Sequence, residues 1–358
     1  MPEDSPAARA LGQGRTTLFD RASGDARALD GLPAHAARLA DDYFTARLGE
    51  IAPDFPRALP VSIIAVGGYG RAELCPGSDL DVLLVYPGRI PVQAEALARA
   101  LFHPLWDLRL DLGHGVRTLN DCIALAGDDP QVLASLLDLR HIAGDAGAYH
   151  DLALRLDSKV LPRSLEPFAR WLAERNAERA ERYGDASALL EPDLKNGLGG
   201  LRGAHQVRWL TRLFRAKGRR PPFPDEDLAR LEDDARLVRT ARSALHLAAG
   251  RKRDALAFEL QPAVAAMLGY DALGSGDHRH GPALAVEAFL SDLHRAMARI
   301  RAMREAFWLE AFPDGSRVVP VAAEAVEAGL TGLSATAPDT YRQRPDRLLD
   351  LFFEAAWT

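Results

Sequence analysis

Two aspartates one residue apart, Asp79 and Asp81, stand in "GSDLDVLLVY" (77–86), a run that otherwise reads as a buried strand. Charged side chains are almost never buried without a partner. Residues two apart on a strand share a face, so Asp79, Asp81, Leu83 and Val85 fall on one side and Leu80, Val82 and Leu84 on the other. Two carboxylates this close repel, and one would keep its proton unless a cation lay between them. Mg2+ relieves that repulsion and is held by a few carboxylates together with phosphate oxygens. Phosphate then needs a way in. Ten residues separate the Gly67-Gly68 pair from Asp79; the glycines lack a β-carbon, and a short helix opening there would aim free N–H groups at an anion. Ser78 adjoins the pair. A third carboxylate is expected on a neighbouring strand, with Asp111 in "LRLDLGHGVR" (108–117) as the first candidate and Asp107 as the alternative. Arg71 and Lys195 are candidate phosphate contacts, readable equally as a surface ion pair and a solvated loop charge.

The elements that would hold these residues follow from periodicity. Residues 26–50 carry apolar positions at helical spacing, 61–67 and 79–86 read as strands, and 68–78 as a turn region with room for one helical turn. Residues 91–106 are helical, and 108–117 alternate Leu108, Leu110 and Leu112 with polar residues, the period of a half-buried third strand. From 128 onward the periodicity is helical and no strand is expected. His114 and Arg117 follow the third strand, and His246 sits among leucines on a helix; structural roles are expected for His114 and His246. "DHRH" (277–280) lies in a glycine-rich loop and is not expected to bind metal, and His150-Asp151 reads as a helix-start pair.

The chain has 358 residues, 47% hydrophobic and 26% charged, with net charge −6. Nothing in that balance suggests a nucleic-acid partner. No apolar run is long enough to span a membrane, and the acidic start lacks the apolar core of a secretory signal. Two cysteines, Cys75 and Cys122, exclude a disulfide framework or a multi-cysteine zinc site, and a reducing cytoplasm is the expected compartment. Lysine stands only at 159, 195, 217 and 252, and arginine supplies nearly all the positive charge, as in a GC-rich coding sequence.

Gly-Gly, ten residues, Asp-x-Asp resembles the signature of the DNA polymerase β-like nucleotidyltransferase superfamily. Four stretches narrow this: "GGYGRAELCPGSDLDVLLVY", "WDLRLDLGHGVRTLNDCIALAGDDPQVLASLLDLRHIAGD", "LLEPDLKNGLGGLRG" and "LHLAAGRKRDALAFELQPAVAAMLGY". In this order they resemble the N-terminal half of the bifunctional PII uridylyltransferase/uridylyl-removing enzymes, over about residues 30–310. The resemblance implies an α+β fold, with a small mixed-sheet, polymerase β-like core and a larger α-helical domain. It implies a Mg2+-dependent enzyme moving UMP or AMP from UTP or ATP to a tyrosine hydroxyl of the PII signalling protein and releasing pyrophosphate. Asp79 and Asp81 would be metal ligands, Asp111 would complete the catalytic set, and Gly67, Gly68, Arg71, Ser78 and Lys195 would bind nucleotide. Glu191, Lys195, Gly199, Gly200 and Arg202 match the family's loop pattern, but Gly203 stands where the family usually has aspartate.

The expected division is a mobile leader (1–25), the nucleotidyltransferase core with an N-terminal helix (26–127), a helical domain (128–312) and a C-terminal segment (313–358) leading to an absent domain. Family members continue into a hydrolase domain and glutamine-sensing ACT domains. Nucleotide removal and glutamine sensing are therefore expected to be absent. Two other readings remain at this point: nucleotidyl transfer to another protein or a small molecule, and a non-enzymatic nucleotide-binding regulator.

Overall fold

In the computed structural model, residues 5–55, 60–184, 186, 189–270 and 281–312 are described. They all belong to one compact unit, Met1–Val318. The expected C-terminal segment and the 277–280 tract lie outside the described residues. In chain order the elements are α1 (Pro6–Gly24), α2 (Ala26–Asp30), α3 (Leu32–Ile51), β1 (Ser62–Ala65), α4 (Gly67–Gly70), β2 (Leu80–Tyr86), α5 (Ala94–Asp107), β3 (Leu112–Thr118), α6 (Leu119–Asp128), α7 (Pro130–Leu136), β4 (Arg140–Gly144) and α8 (Ala146–Arg155). The helical part follows with α9 (Leu161–Tyr183), α10 (Leu201–Ala216), α11 (Asp225–Ala249), α12 (Gln261–Met267) and α13 (Gly281–Ala311). None of the described helices is long and apolar enough to cross a membrane.

The fold is α+β, as the resemblance implies. Four strands form one mixed sheet in the order β3-β2-β1-β4. β1 runs antiparallel to β2 and to β4, and β2 runs parallel to β3, with Leu80 opposite Leu112 and Asp81 opposite Gly113. β1 and β2 are buried along almost their whole length, so both read as continuous apolar runs, and Asp81 is the half-buried exception. One sheet face packs on α3 and α5 through Ile63, Leu84, Tyr43, Phe44, Leu101 and Phe102. The Tyr43 hydroxyl donates to the Leu101 carbonyl at 2.6 Å, so the helix pair is tied as well as packed.

Three sequence expectations are corrected here. The stretch expected to be a mobile leader contains helix α1. Ser5 caps it by accepting from the Ala8 N–H at 3.2 Å, Glu50 accepts from the Ala7 N–H at 2.7 Å, and Leu11 is buried in the sheet-side core. The alternation of Leu108, Leu110 and Leu112 is not a strand from its start. Residues 108–111 wrap the C-terminus of α5, with Leu108 N–H on the Pro104 carbonyl, Leu110 N–H on the Leu105 carbonyl and Arg109 at φ 57. All three leucines still meet the core, which is why the stretch mimics a period of two. Finally, β4 is a strand where only helices were expected; its sequence, RHIAG, is short and only partly buried.

The helical part is fastened to the sheet through buried carboxylates, Glu73 and Asp138. Glu73, on the loop after α4, accepts from Arg71 at 2.7 Å, His205 at 3.0 Å and Arg208 at 3.0 Å, both on α10, and Arg239 of α11 at 2.9 Å. Its side chain is 8% exposed. Arg71 also pairs with Asp138, which accepts from the Trp209 indole at 3.0 Å. Burial opposes ionisation of Glu73, but the His205 hydrogen bond and the charges of Arg71 and Arg239 hold its carboxyl well below the usual range. Burial and Arg71 push the His205 imidazole down to about 3, so it is the neutral ring that donates.

Removing the charge at this junction takes one of two carboxylate partners from each of Arg71, Arg208 and Arg239, which keep Asp138 or Glu232. Glu73→Gln is expected to destabilise the protein by about 1–3 kcal/mol, read as a lower urea midpoint. His205 adds a pH dependence. The unfolded chain takes up a proton as pH falls through about 6.5, whereas folded His205 does so only near 3. Its contribution is therefore complete above about 6.5 and is lost progressively as pH falls from there. His205→Gln keeps a neutral donor and should flatten the difference between urea midpoints at about pH 7 and pH 5. An unchanged pH profile would contradict the assignment.

Candidate functional site

Asp79 closes the turn before β2, and Asp81 is the second residue of that strand. The turn is tightly held: Ser78 N–H donates to the Cys75 carbonyl at 2.8 Å, and Leu80 N–H donates to the Asp111 carbonyl at 2.9 Å. Asp81 sits in a slot made by two glycines. A β-carbon at Gly67 would come 3.3 Å from one Asp81 carboxylate oxygen, and one at Gly113 would come 2.2 Å from the other. Gly67 adopts φ +57 as α4 begins, a conformation that favours glycine for a second reason. Burial and the neighbouring Asp79 raise the Asp81 carboxyl above its ordinary value, while Lys195, Lys252 and Arg202 act in the opposite sense. The repulsion inferred from the sequence is thus present in the fold.

Both aspartates open on a cavity of about 760 Å³ between the sheet and the helices, within the range of small-molecule sites. Gly67, Gly68, Arg71, Ser78 and Lys195 line it too. A net-negative chain has gathered nine lysines and arginines against five aspartates and glutamates around this cavity. The crowding has a consequence for Arg179: burial and the neighbouring Arg202, Arg304 and Arg175 push it down to about 10. Burial and Arg242 also lower the ammonium of Lys195. Such a surface is suited to a polyanion.

Two loops carry the lysines to the aspartates. Asp193 accepts from the N–H groups of Lys195 at 2.9 Å and Asn196 at 2.6 Å, which shapes the loop before α10. This loop is zipped to the one after α11 by Leu194 N–H to the Asp254 carbonyl at 2.8 Å and Leu256 N–H to the Pro192 carbonyl at 3.0 Å. Gly250, at φ 64, ends α11 and turns the chain into the second loop. There Lys252 Nζ lies 2.7 and 2.8 Å from the two oxygens of Asp79. Arg242 donates to Asp254 at 2.7 Å and reaches Ser78 Oγ at 3.4 Å. His246 Nδ1 accepts from the Gly77 N–H at 3.0 Å, the structural role expected for it.

Other candidates are placed elsewhere. Asp111 is exposed just before β3 and does not line the cavity; it meets the site only through its carbonyl. Asp107 ends α5 and lies 3.5 Å from His103. Arg71 borders the cavity, but its guanidinium is committed to Glu73 and Asp138, a structural role rather than a free phosphate contact. His114 packs against Phe102 and Trp106, at 4.9 and 5.8 Å between ring centres. His150-Asp151 lies within α8, not at its start. Gly203 is buried in α10, where a β-carbon would approach Ile300 of α13 to 3.0 Å; an aspartate there would have to displace that contact. Sequence reasoning did not single out Gly113, Arg242 or Lys252. Scarcity was an available signal for Lys252, since two of the four lysines line this cavity.

The arrangement fits a divalent cation shared with phosphate. An ammonium already occupies the open side of Asp79, so the position favours a cation. Among the described residues no group of three or more His, Cys, Asp or Glu side chains converges. The aspartate pair would therefore supply the protein's carboxylates, and phosphate and water the remaining ligands, the pattern typical of Mg2+.

The family described as GlnD PII-uridylyltransferase matches residues 168–308. A bifunctional uridylyltransferase/uridylyl-removing enzyme of Thiobacillus denitrificans is 32% identical over 350 residues, covering 96% of this chain and 40% of the relative. Enzymes of the same name from Streptomyces coelicolor and Photobacterium profundum are 45% identical over 212 residues and 31% over 304. These matches cover 58% and 83% of this chain, and 24% and 34% of those relatives. Over nearly its whole length, while spanning less than half of theirs, the chain belongs with the bifunctional uridylyltransferase/uridylyl-removing enzymes.

Proposed function

We propose that the chain is a Mg2+-dependent nucleotidyltransferase that moves UMP or AMP from UTP or ATP to a tyrosine hydroxyl of the PII signalling protein. The observation that carries this reading is the Asp79–Asp81 pair set in a slot of glycines on the floor of a basic cavity. The relatives' names support uridylyl transfer as the reaction class. The description of the matching family, GlnD PII-uridylyltransferase, supports PII as the acceptor. Two buried free thiols, Cys75 and Cys122, are compatible with the cytoplasm as its location.

In this mechanism Asp79 and Asp81 would hold Mg2+ beside the triphosphate. The ion, when bound, supplies positive charge that favours ionisation of the attacking hydroxyl and departure of the leaving group. Gly67 and Gly68 leave room for the phosphates, and Lys195, Arg202 and Arg242 surround them with positive charge. The tyrosine oxygen attacks the α-phosphorus, its proton passes to solvent, and the bond to the bridging oxygen breaks to release pyrophosphate. The chain's own part is to align these groups and stabilise the developing charge.

The direct test is a transfer assay with PII, Mg2+ and labelled UTP or ATP side by side. Label on PII from one nucleotide is expected; no label from either would contradict the proposal. Asp79→Asn and Asp81→Asn should each abolish transfer in a folded protein, and Asp81→Asn should not lower the melting temperature, because it relieves repulsion. Gly113→Ala should displace the Asp81 carboxylate and reduce kcat/KM by about 100-fold or more. Mg2+ and a non-hydrolysable triphosphate should stabilise the protein more together than the sum of their separate thermal shifts. Additive shifts would count against a shared site.

A further inference from the structure

Lys252 is unusual among the cations of the cavity because its partner is one of the proposed metal ligands. Its ammonium bridges both oxygens of Asp79, at 2.7 and 2.8 Å, and so stands where a metal ion would bind that carboxylate. The root of the side chain is fixed. A β-carbon at Gly77 would come 2.8 Å from Lys252 Cα, so this backbone is pressed against the turn that carries Asp79. Asp254, two residues on, is clamped by Arg242 at 2.7 Å. The tip is freer: the side chains of Lys252 and Asp79 are 39% and 40% exposed. An exposed pair of this kind is weak, worth at most a few-fold in an equilibrium. A divalent ion arriving with a triphosphate can displace it, and the released ammonium remains beside the incoming phosphates.

We infer that Lys252 is an exchangeable counter-cation of this site. It neutralises Asp79 in the empty enzyme, yields that carboxylate to the metal, and then pairs with the nucleotide's phosphates. This rests on the nucleotidyltransferase reading and adds a positioning role for a residue outside the aspartate motif. The exchange explains how a basic cavity avoids an unpaired aspartate before substrate binds. It also couples release of Lys252 to arrival of the anion that it then holds, so neither charge need be left uncompensated.

The test uses binding alone and does not depend on turnover. Mn2+ affinity is measured by electron paramagnetic resonance without nucleotide, for the wild-type protein and Lys252→Met. The side chain is partly exposed, so the variant should fold. Removing the internal competitor should tighten Mn2+ binding by about twofold to fivefold. Affinity for a non-hydrolysable triphosphate with Mn2+ present should fall by about tenfold or more, because a charged phosphate contact is lost. Equal Mn2+ affinities, or parallel weakening of metal and nucleotide, would overturn the exchange. In the unmodified protein, acetylation of Lys252 followed by mass spectrometry should increase with Mg2+ alone and decrease when the triphosphate is added. Labelling indifferent to Mg2+ would likewise overturn it. Failure of Mn2+ to bind either protein would remove the metal reading itself, and this inference with it.

Discussion

A buried carboxylate, Glu73, ties the sheet to the helices that wall the cavity. It lies one loop away from the Gly67–Gly68 turn and receives donors from Arg71, from His205 and Arg208 on α10, and from Arg239 on α11. A carboxylate this buried is unfavourable unless its hydrogen-bonding capacity is met, and here both oxygens are engaged. The network therefore orients as much as it stabilises. With Glu73 in place, α10 and α11 cannot slide along the sheet without breaking several charged bonds at once. The lysines that face the aspartates hang from loops at the ends of those same helices.

The electrostatics of the cavity follow from that anchoring. The chain is net negative, yet positive side chains converge where the triphosphate is proposed to lie. Several are already spoken for: Arg71 and Arg239 by Glu73, Arg242 by Asp254. This leaves a graded site, with rigid paired arginines in the wall and two lysines nearer the aspartates. A lysine on a flexible stem is better suited than a bidentate arginine to changing partners. The two aspartates occupy different environments as well. Asp81 is fixed between glycines, whereas Asp79 is half exposed and holds a replaceable cation.

Much of the site could be read from residue order because its parts are local. Gly67, Gly68, Ser78, Asp79 and Asp81 lie within one strand-turn-strand unit, and parity alone places both carboxylates on one face. What depends on strand register could not be read so directly. Gly113 matters because β2 and β3 pair in parallel with Asp81 opposite it, and the same pairing leaves Asp111 at the rim with only its carbonyl engaged. Long-range partners were equally hidden. Arg71 next to a glycine turn suggests phosphate, but Asp138, 67 residues away, claims it. Elements whose evidence is tertiary were also misread: β4 is short and exists as a strand through β1, and α1 is a helix whose burial depends on α3 and the sheet. The broad α+β organisation survived these errors because the long helices carry helical periodicity and the two central strands are short, continuous apolar runs bounded by turn residues.

The central claim is that Asp79 and Asp81 form one shared site for a divalent ion and a nucleoside triphosphate. The most direct measurement is a crystal structure with Mn2+ and a non-hydrolysable triphosphate, with data collected for the anomalous signal of manganese. The account predicts an anomalous peak within coordination distance of both Asp79 and Asp81, with phosphate oxygens completing its shell beside Gly67 and Gly68. A triphosphate bound with no manganese peak at the aspartates, or a peak elsewhere in the cavity, would contradict it.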